Sequence, residues 1–308
     1  MAEPILSPDG KWMWTGSEWI PAPPSSSQST KILLQDSVVG GDINITQNNA
    51  EDIATAMVQA LERMGISGQS SPAELTPSQE AEVEQVLEMS EQLVGHGIEI
   101  DPWTEITLGN AANLAGRTHS AQQHYLRALE TFRKNSDREG EAASIGNLGN
   151  IAQKRGDLAE AERLLLEAKS VYQEIGDRAG VSRQLQNLGE IARHRGDLAE
   201  AERLQRESLA IKREIGDRQG EAASLNNLGL IAQKRGDLAE AERLQRESLA
   251  IKREIGDRQG ESASLINLGN IASANGNMDE RHRCYTEAVR IKREIGIPID
   301  QWFIDNGY

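Results

Sequence analysis

The chain has 308 residues, of which 38% are hydrophobic, 4% aromatic and 26% charged, and its net charge is −15. A chain rich in Ala, Leu, Glu and Arg with so few aromatics favours helices over sheets, and its length allows two ordinary domains or one long repeat array. The acidic balance predicts no nucleic-acid partner, since phosphate backbones are repelled, and no apolar stretch approaches the roughly 20 residues of a membrane span.

The cysteine content and the first residues bear on the compartment. Cys284 is the single cysteine, so an internal disulfide framework is excluded and a reducing compartment is indicated. The N-terminus lacks the basic segment followed by an apolar segment that is typical of a signal peptide. We therefore expect a cytoplasmic protein without a membrane span.

Residues 1–22 are predicted to form a small Trp-rich hairpin module. Turn signals at 8–10 and 15–17 flank a short alternating strand over 11–14, and three of the five Trp residues lie in this segment. The segment resembles the small Trp-Trp-x-Gly-x-x-Trp modules at the ends of prokaryotic and archaeal proteins. It is either a hairpin whose only core is its Trp rings, or a docking patch for a Pro-rich or membrane-proximal partner.

A Pro/Ser linker at 23–30 leads to a second small element at 31–66. Two β-favouring runs surround Gly40 and Gly41, and an amphipathic helix over 51–63 follows. This strand pair and helix have little else to bury against. They form either a homo-oligomerisation unit or a loosely packed appendage.

A second linker at 67–75 precedes a predicted N-capping helix within 76–100. Thr76 and Gln79 have the spacing of a capping box, with Pro77 at the first helical position. We expect a helix over about 77–95 that packs on the first repeat or is the remnant of a degenerate repeat. Residues 1–100 hold 15 acidic and 3 basic side chains, hence −12 of the net −15, which leaves −3 for the other 208 residues.

The rest of the chain is an internal repeat of 40 residues. Residues 195–220 and 235–260 are identical, and a Leu-Gly pair such as Leu148-Gly149 recurs at the same offset in every repeat. A Gly-Asp pair recurs every 20 residues, where Gly ends one helix and Asp caps the next. The sequence therefore predicts five helix pairs, at 101–140, 141–180, 181–220, 221–260 and 261–300.

Five small or apolar positions carry a family resemblance. Leu148, Gly149, Gly156, Ala161 and Ala168 have the spacing of the Leu, Gly, Gly, Ala and Ala of the tetratricopeptide signature. About two-thirds of the chain resembles this family. The resemblance implies an all-α fold, a right-handed α-solenoid of antiparallel helix pairs, to which the N-terminus adds its small β-hairpin elements.

The chain also departs from the common tetratricopeptide pattern. Its repeat has 40 residues instead of 34, Ala152 or Leu165 fills the aromatic positions, and the closing Pro is missing. It is similar in this to the forty-residue subclass found in kinesin light chains. Residues 301–308 are predicted to be a C-terminal cap, in which Trp302 and Phe303 cover the last apolar face.

The sequence indicates no catalytic site, metal site or cofactor. The five histidines, His96, His119, His124, His194 and His282, do not combine with Cys or carboxylates at metal-ligand spacing, and each Gly-rich turn is a helix stop instead of a phosphate loop. Cys284 is expected to be a buried filler. We expect a protein that is not an enzyme.

The resemblance directs attention to the concave groove, which the first helix of each repeat lines in this family. There an Asn precedes Leu-Gly in four repeats, and an amide can both donate to and accept from the backbone of an extended peptide. The alternative is that each Asn bonds a neighbouring helix or water. The predicted peptide-binding residues are Asn110, Asn147, Asn150, Lys154, Arg183, Asn187, Glu190, Arg193, His194, Asn227, Lys234, Asn267 and Asn270.

The charges of these groove residues are mostly basic, with Glu190 as the exception. An acidic peptide or partner segment is therefore the predicted ligand. The leading hypothesis is a non-enzymatic scaffold or adaptor that binds a protein partner in the groove. The alternative is a regulatory or sensor protein that relays partner binding through its N-terminal module.

Overall fold

The structure is a computed structural model that describes residues 50–68 and 75–308, together with the backbone of five short strands. The chain divides into two compact units, Met1–Ile100 and Asp101–Tyr308. The second unit begins at the residue where the sequence places the first repeat.

The strands of the first unit form two small antiparallel sheets. One contains β1 (Ile5–Leu6), β2 (Trp12–Trp14) and β3 (Trp19–Pro21), and the other contains β4 (Ile32–Leu34) and β5 (Ser37–Val39). The predicted turns at 8–10, 15–17 and 40–41 lie outside the described residues. The Trp-rich module and the oligomerisation unit at 31–66 therefore stay predictions.

Two helices follow in the first unit. Helix α1 (Ala50–Arg63) confirms the predicted amphipathic helix, and its Met57, Ala60 and Leu61 are buried. Helix α2 (Pro77–Gly95) begins at the predicted capping box: Thr76 Oγ1 accepts from the Gln79 N–H at 3.3 Å, and Gln79 Oε1 accepts from the Thr76 N–H at 2.9 Å. Its role as a cap for the repeats stays a prediction.

The second unit consists of consecutive helix pairs, as the repeat predicts. The first helix of each pair packs against the second, and the second packs against the first helix of the next pair. The first helices are α3 (Pro102–Leu114), α5 (Arg138–Lys154), α7 (Arg178–Arg195), α9 (Arg218–Lys234) and α11 (Arg258–Ala274). The second helices are α4 (Thr118–Asn135), α6 (Leu158–Ile175), α8 (Leu198–Ile215), α10 (Leu238–Glu254) and α12 (Met278–Glu294).

The Gly-Asp turns have the predicted conformation. Gly176 has φ 77° and closes α6, and the carboxylate of Asp177 accepts from the backbone N–H of Gly180 at 3.0 Å to cap α7. In the first pair Ser136 takes the place of the Gly and adopts φ 57°, a left-handed conformation that costs a residue with a Cβ more than it costs Gly. Because both ends of each turn are fixed locally, the helix boundaries follow from the sequence.

Close approach within each pair explains the Gly of the Leu-Gly signature. A Cβ at Gly109 would lie 2.4 Å from the ring of Tyr125, and a Cβ at Gly149 would lie 2.9 Å from Leu165. Ala161 on the facing helix is fully buried. These positions admit no larger side chain without moving the two helices apart.

A short helix, α13 (Gln301–Asp305), follows the last pair. Phe303 is buried among Tyr285, Val289 and Tyr308, with ring-to-ring distances of 5.2 Å to Tyr285 and 6.1 Å to Tyr308. Trp302 stays half exposed. The aromatic cluster thus includes Phe303, which is buried, and Trp302, whose exposed ring contacts Tyr285, Phe303 and Tyr308.

Candidate functional site

The residues predicted to bind a peptide lie on one side of the first helices, which we call the first-helix face. In α5, for example, Asn147 and Lys154 are two helical turns apart and therefore lie on the same side of the helix. All thirteen predicted residues are half-buried or exposed, and each of the five first helices contributes at least one of them. Their equivalent positions in successive repeats predict that they line one continuous surface.

Side-chain hydrogen bonds join the first helices of successive repeats across this face. Asn187 Nδ2 donates to Asn150 Oδ1 at 2.8 Å, and Asn267 Nδ2 donates to Asn226 Oδ1 at 2.9 Å. Lys154 Nζ donates to Asn113 Oδ1 at 2.8 Å. Asn187 and Asn267 therefore bond a neighbouring helix, which was the alternative to ligand binding in the sequence analysis.

The two terminal asparagines of the face are held within their own repeats. The hydroxyl of Tyr125 donates to Asn110 Oδ1 at 2.7 Å, and the hydroxyl of Tyr285 donates to Asn270 Oδ1 at 2.6 Å. Both tyrosine rings lie against the Gly of the Leu-Gly signature, at Gly109 and Gly269. These amides orient buried aromatic side chains as well as facing the surface.

Asn147 and Asn227 differ from the other asparagines of the face. Within the part of the chain that the structure describes, neither side chain makes a hydrogen bond, and both are partly accessible. Each carboxamide can therefore donate to and accept from a ligand backbone. The two are equivalent residues of the second and fourth repeats, with the engaged Asn187 between them.

Among the predicted binding residues of the face, basic side chains outnumber acidic ones. Glu190 is neutralised by Arg193, with an N–O distance of 2.6 Å, and Arg193 also lies 3.4 Å from the His194 ring. The guanidinium of Arg183 lies 5.8 Å above the ring centroid of Tyr172. Lys234 is exposed and forms no ion pair with a described residue.

A buried lysine behind the face was missed in the sequence. Lys212 is 1% exposed, and its Nζ donates to Ser224 Oγ at 3.1 Å and to Gln186 Oε1. Burial lowers the pKa of Lys212 to about 8, partly offset by the nearby Asp217 carboxylate. Aligning the repeats could have revealed this lysine, because Phe132 and Tyr172 occupy the equivalent position in the first two repeats. Aromatic residues at that position indicate that it is buried.

Lys252, the equivalent residue of the fourth repeat, is also buried. Its Nζ donates to Ser264 Oγ at 2.9 Å, and burial lowers its pKa. Two successive joints of the array therefore contain a lysine where earlier joints contain an aromatic ring.

Grooves that the sequence analysis did not predict lie on the other side of the first helices. We call them the second-helix grooves. Each lies between two successive second helices, and its floor is formed by apolar residues of the intervening first helix, such as Leu148 and Ile151. Their volumes are about 450 Å³ between α4 and α6, 170 Å³ between α6 and α8, 480 Å³ between α8 and α10, and 440 Å³ between α10 and α12. Half-exposed Leu126 and Leu166 line the first two.

Arg-Glu pairs cross most of these grooves. Arg133 binds Glu167 at 3.2 Å and Arg195 binds Glu162 at 2.5 Å, and an Arg235–Glu202 pair crosses the third groove. Exposed pairs of this kind contribute only about 0–1 kcal/mol each, so their main effect is to close the groove mouths and fix the register of the repeats.

Cys284 lies in the last groove and is buried, as the sequence predicts. Burial, together with the adjacent Glu280 carboxylate, raises the pKa of its thiol to about 11. The thiol is thus uncharged near neutral pH. Among residues 50–68 and 75–308, no group of three His, Cys, Asp or Glu side chains could hold a metal ion.

No helix in the described segments is both long enough and apolar enough to cross a membrane.

A sequence profile described as "Tetratricopeptide repeat" matches residues 101–174, 140–214 and 220–294. No curated protein matches the chain.

Several solved structures have a similar fold. The crystal structure of BtubC (BKLC) from P. vanneervenii is 22% identical, with a TM-score of 0.57 over 75% of this chain and 92% of that one. A putative kinesin light chain of Podosopora anserina, described as having nearly identical TPR-like repeats, is 20% identical, with a TM-score of 0.51 over 62% of this chain and 95% of that one. A Rap protein complexed with Competence and Sporulation Factor is 16% identical, with a TM-score of 0.58 over 83% of this chain and 74% of that one.

Proposed function

This chain belongs to the tetratricopeptide repeat family, and from that membership we propose that it is a non-enzymatic scaffold that binds an extended, acidic segment of a partner protein across the first-helix face. Its 40-residue repeat places it, in this proposal, with the forty-residue subclass of kinesin light chains. The observation that carries the proposal is the pair of amides without an internal partner, Asn147 and Asn227, beside the basic side chains of the same face.

The amides would hold the backbone of the ligand. An extended chain presents N–H and C=O groups at regular intervals, and a carboxamide can bond one of each without reading the side chains. Asn187, which bonds Asn150, would keep the two neighbouring helices in register between these contacts. Asn147 and Asn227 would then bind the ligand backbone whatever its sequence, and Asn187 would fix the distance between them.

The basic side chains would select acidic ligands. Lys154, Arg183 and Lys234 are exposed, whereas the one acidic residue of the face, Glu190, is already paired with Arg193. Complementary charge of this kind raises association rates and rejects basic ligands more than it adds affinity. Binding should therefore weaken as the salt concentration rises.

The test is a peptide array of random sequences probed with the full-length chain. We expect peptides rich in Asp and Glu to bind, and the double variant Asn147→Ala/Asn227→Ala to lose about tenfold or more in affinity, since each bond to a ligand is worth about 1 kcal/mol. Asn135→Ala is the matched control, because this exposed asparagine ends α4 and lies outside the first-helix face. Equal binding by the double variant and the native chain would refute the proposal.

The relay hypothesis also has one observation in its favour, the division into two compact units at Ile100 and Asp101. An array that receives a partner and a separate unit that passes the signal on would require such a division. Cross-linking of the intact chain to a captured partner separates the two functions. Cross-links confined to 101–308 support the adaptor, and additional cross-links to 1–100 support the relay.

A further inference from the structure

The last of the second-helix grooves, between α10 and α12, differs from the other three. Its walls and floor are Leu249, Leu265, Leu268 and Cys284, each between 5% and 7% exposed. The other grooves have Leu164, Leu204 and Leu244 where this one has Cys284, at the same position of the repeat. A thiol thus takes the place of a larger isobutyl group at the bottom of this groove.

The bridges across this groove are also weaker. Asn275 stands where Arg195 and Arg235 bind the preceding second helix in the third and fourth repeats. The remaining bridge is a long contact of 3.7 Å between Arg246 and Glu280. The mouth of the groove is therefore more open than its equivalents.

Arg253, at the rim of this groove, binds one carboxylate fewer than its equivalent in the preceding repeat. Arg213 binds both Glu221 at 2.7 Å and Glu247 at 2.5 Å, whereas Arg253, its equivalent, binds only Glu261, at 2.6 Å, among the described residues. Glu287, which corresponds to Glu247, is turned to a different partner.

The two glutamates of the rim are already neutralised by arginines. Glu287 binds Arg290 at 2.6 Å, and Glu280 binds Arg283 at 2.5 Å. Neither therefore leaves a full negative charge to oppose an incoming carboxylate. The rim thus offers Arg253, which shares the Glu261 carboxylate with Arg258, above an apolar floor.

We propose that this last groove is a second binding site, for a segment of a partner protein that presents a large aliphatic or aromatic side chain next to an Asp or Glu. The apolar side chain packs on Leu265, Leu268 and the small Cys284 side chain. The carboxylate binds Arg253 in the way that Glu247 binds Arg213. The site lies on the other side of the first helices from Asn147, so it does not depend on the function proposed for that face.

The repeats suggest a variant that changes the bottom of the groove and is compatible with the fold, and a second variant removes the charge at its rim. Cys284→Leu introduces the residue that three other repeats already have at this position, and Arg253→Gln removes the cation while keeping most of the stem. We expect random short peptides selected on the full-length chain, and counter-selected on Cys284→Leu, to pair a large apolar residue with Asp or Glu within four positions. Their affinity should fall about tenfold or more with Arg253→Gln, a variant that takes no part in the selection, and stay unchanged in Asn147→Ala/Asn227→Ala.

The single thiol provides an independent readout. At about pH 10, where part of this thiol is ionised, a selected peptide should slow the alkylation of Cys284 by iodoacetamide in the native chain. It should not protect the thiol in Leu244→Cys/Cys284→Leu, which moves the cysteine to the equivalent position of the fourth repeat. Peptides without an acidic residue, binding that is unaffected by Arg253→Gln, or equal protection of both thiols would each overturn the proposal.

Discussion

Lys212 donates a hydrogen bond of 3.1 Å to the hydroxyl of Ser224, and both side chains are buried in the joint between the third and fourth repeats. The lysine stem lies against Gly220, as the ring of Tyr172 lies against Gly180 one repeat earlier. The same joint is therefore built once around an aromatic ring and once around a buried amine. This difference makes the stability of the array depend on pH.

We expect Lys212 to raise the free energy of unfolding as the pH increases from about 8 to about 10.5, while the buried Cys284 thiol, with its pKa raised to about 11, acts in the opposite sense above about pH 9. Burial lowers the pKa of folded Lys212 to about 8, so over this interval the unfolded chain binds more protons than the folded chain. The cost of keeping the amine charged, about 3 kcal/mol, is fully present below that interval. The difference between the denaturation midpoints of the native chain and of Lys212→Met at several pH values measures it.

Lys212→Met should raise the midpoint near neutral pH and flatten its pH dependence, because it removes the buried charge and keeps the apolar stem. Lys234→Met, at an exposed position, is the matched control and should change neither. A Lys212→Met protein with the pH profile of the native chain would contradict the assignment.

Gly109→Ala should destabilise the first repeat by about 2 kcal/mol or more, because the added Cβ would lie 2.4 Å from the Tyr125 ring. Gly95→Ala is the control. No atom lies within 4 Å of a Cβ there, and helical propensity predicts a stabilisation of up to about 1 kcal/mol. Chemical denaturation followed by circular dichroism measures both, and similar effects of the two variants would contradict the packing argument.

Glu221→Gln should remove part of the acid sensitivity of the array. Burial, which alone would raise the pKa of Glu221, is outweighed by hydrogen bonds from Arg213 and Arg218 that lower it. With a folded pKa below the unfolded value of about 4.3, this carboxylate stabilises the fold above that pH and ceases to do so as the pH falls.

The variant should therefore be less stable at neutral pH by about 1–3 kcal/mol, with a smaller difference from the native chain at pH 3. An acid titration followed by circular dichroism measures this convergence. Parallel acid-unfolding curves for the two proteins would contradict the prediction.

Phe303→Ala should lower the stability of the last repeat by about 3 kcal/mol, because it empties the space between Tyr285 and Val289. In a repeat array each unit contacts only its neighbours, so the loss should be confined to α12 and α13. Amide hydrogen exchange measures it by region. Ile304→Ala, at a 51% exposed position, should change little, and equal effects would rule out Phe303 as the cap.

The helix boundaries of the repeats were predictable because their causes are local. A Gly that adopts positive φ and an Asp that caps the next N-terminus act within four residues, as at Gly176 and Asp177. The same holds for the capping box at Thr76. The periodicity of these signals, together with the small residues at Gly149 and Ala161, was enough to predict the paired-helix fold.

The sequence alone could place the candidate binding residues on one face, because residues 40 positions apart take equivalent places in an array. It could not decide which asparagines are engaged, since Asn187 and Asn150 are 37 residues apart and meet only when two repeats stack. For the same reason it gave no sign that Lys212 and Ser224 share a buried joint, or that Arg253 lacks the second carboxylate that Arg213 has. Local backbone chemistry determined the helices, and the packing of one repeat on the next decided which side chains remain available to a partner.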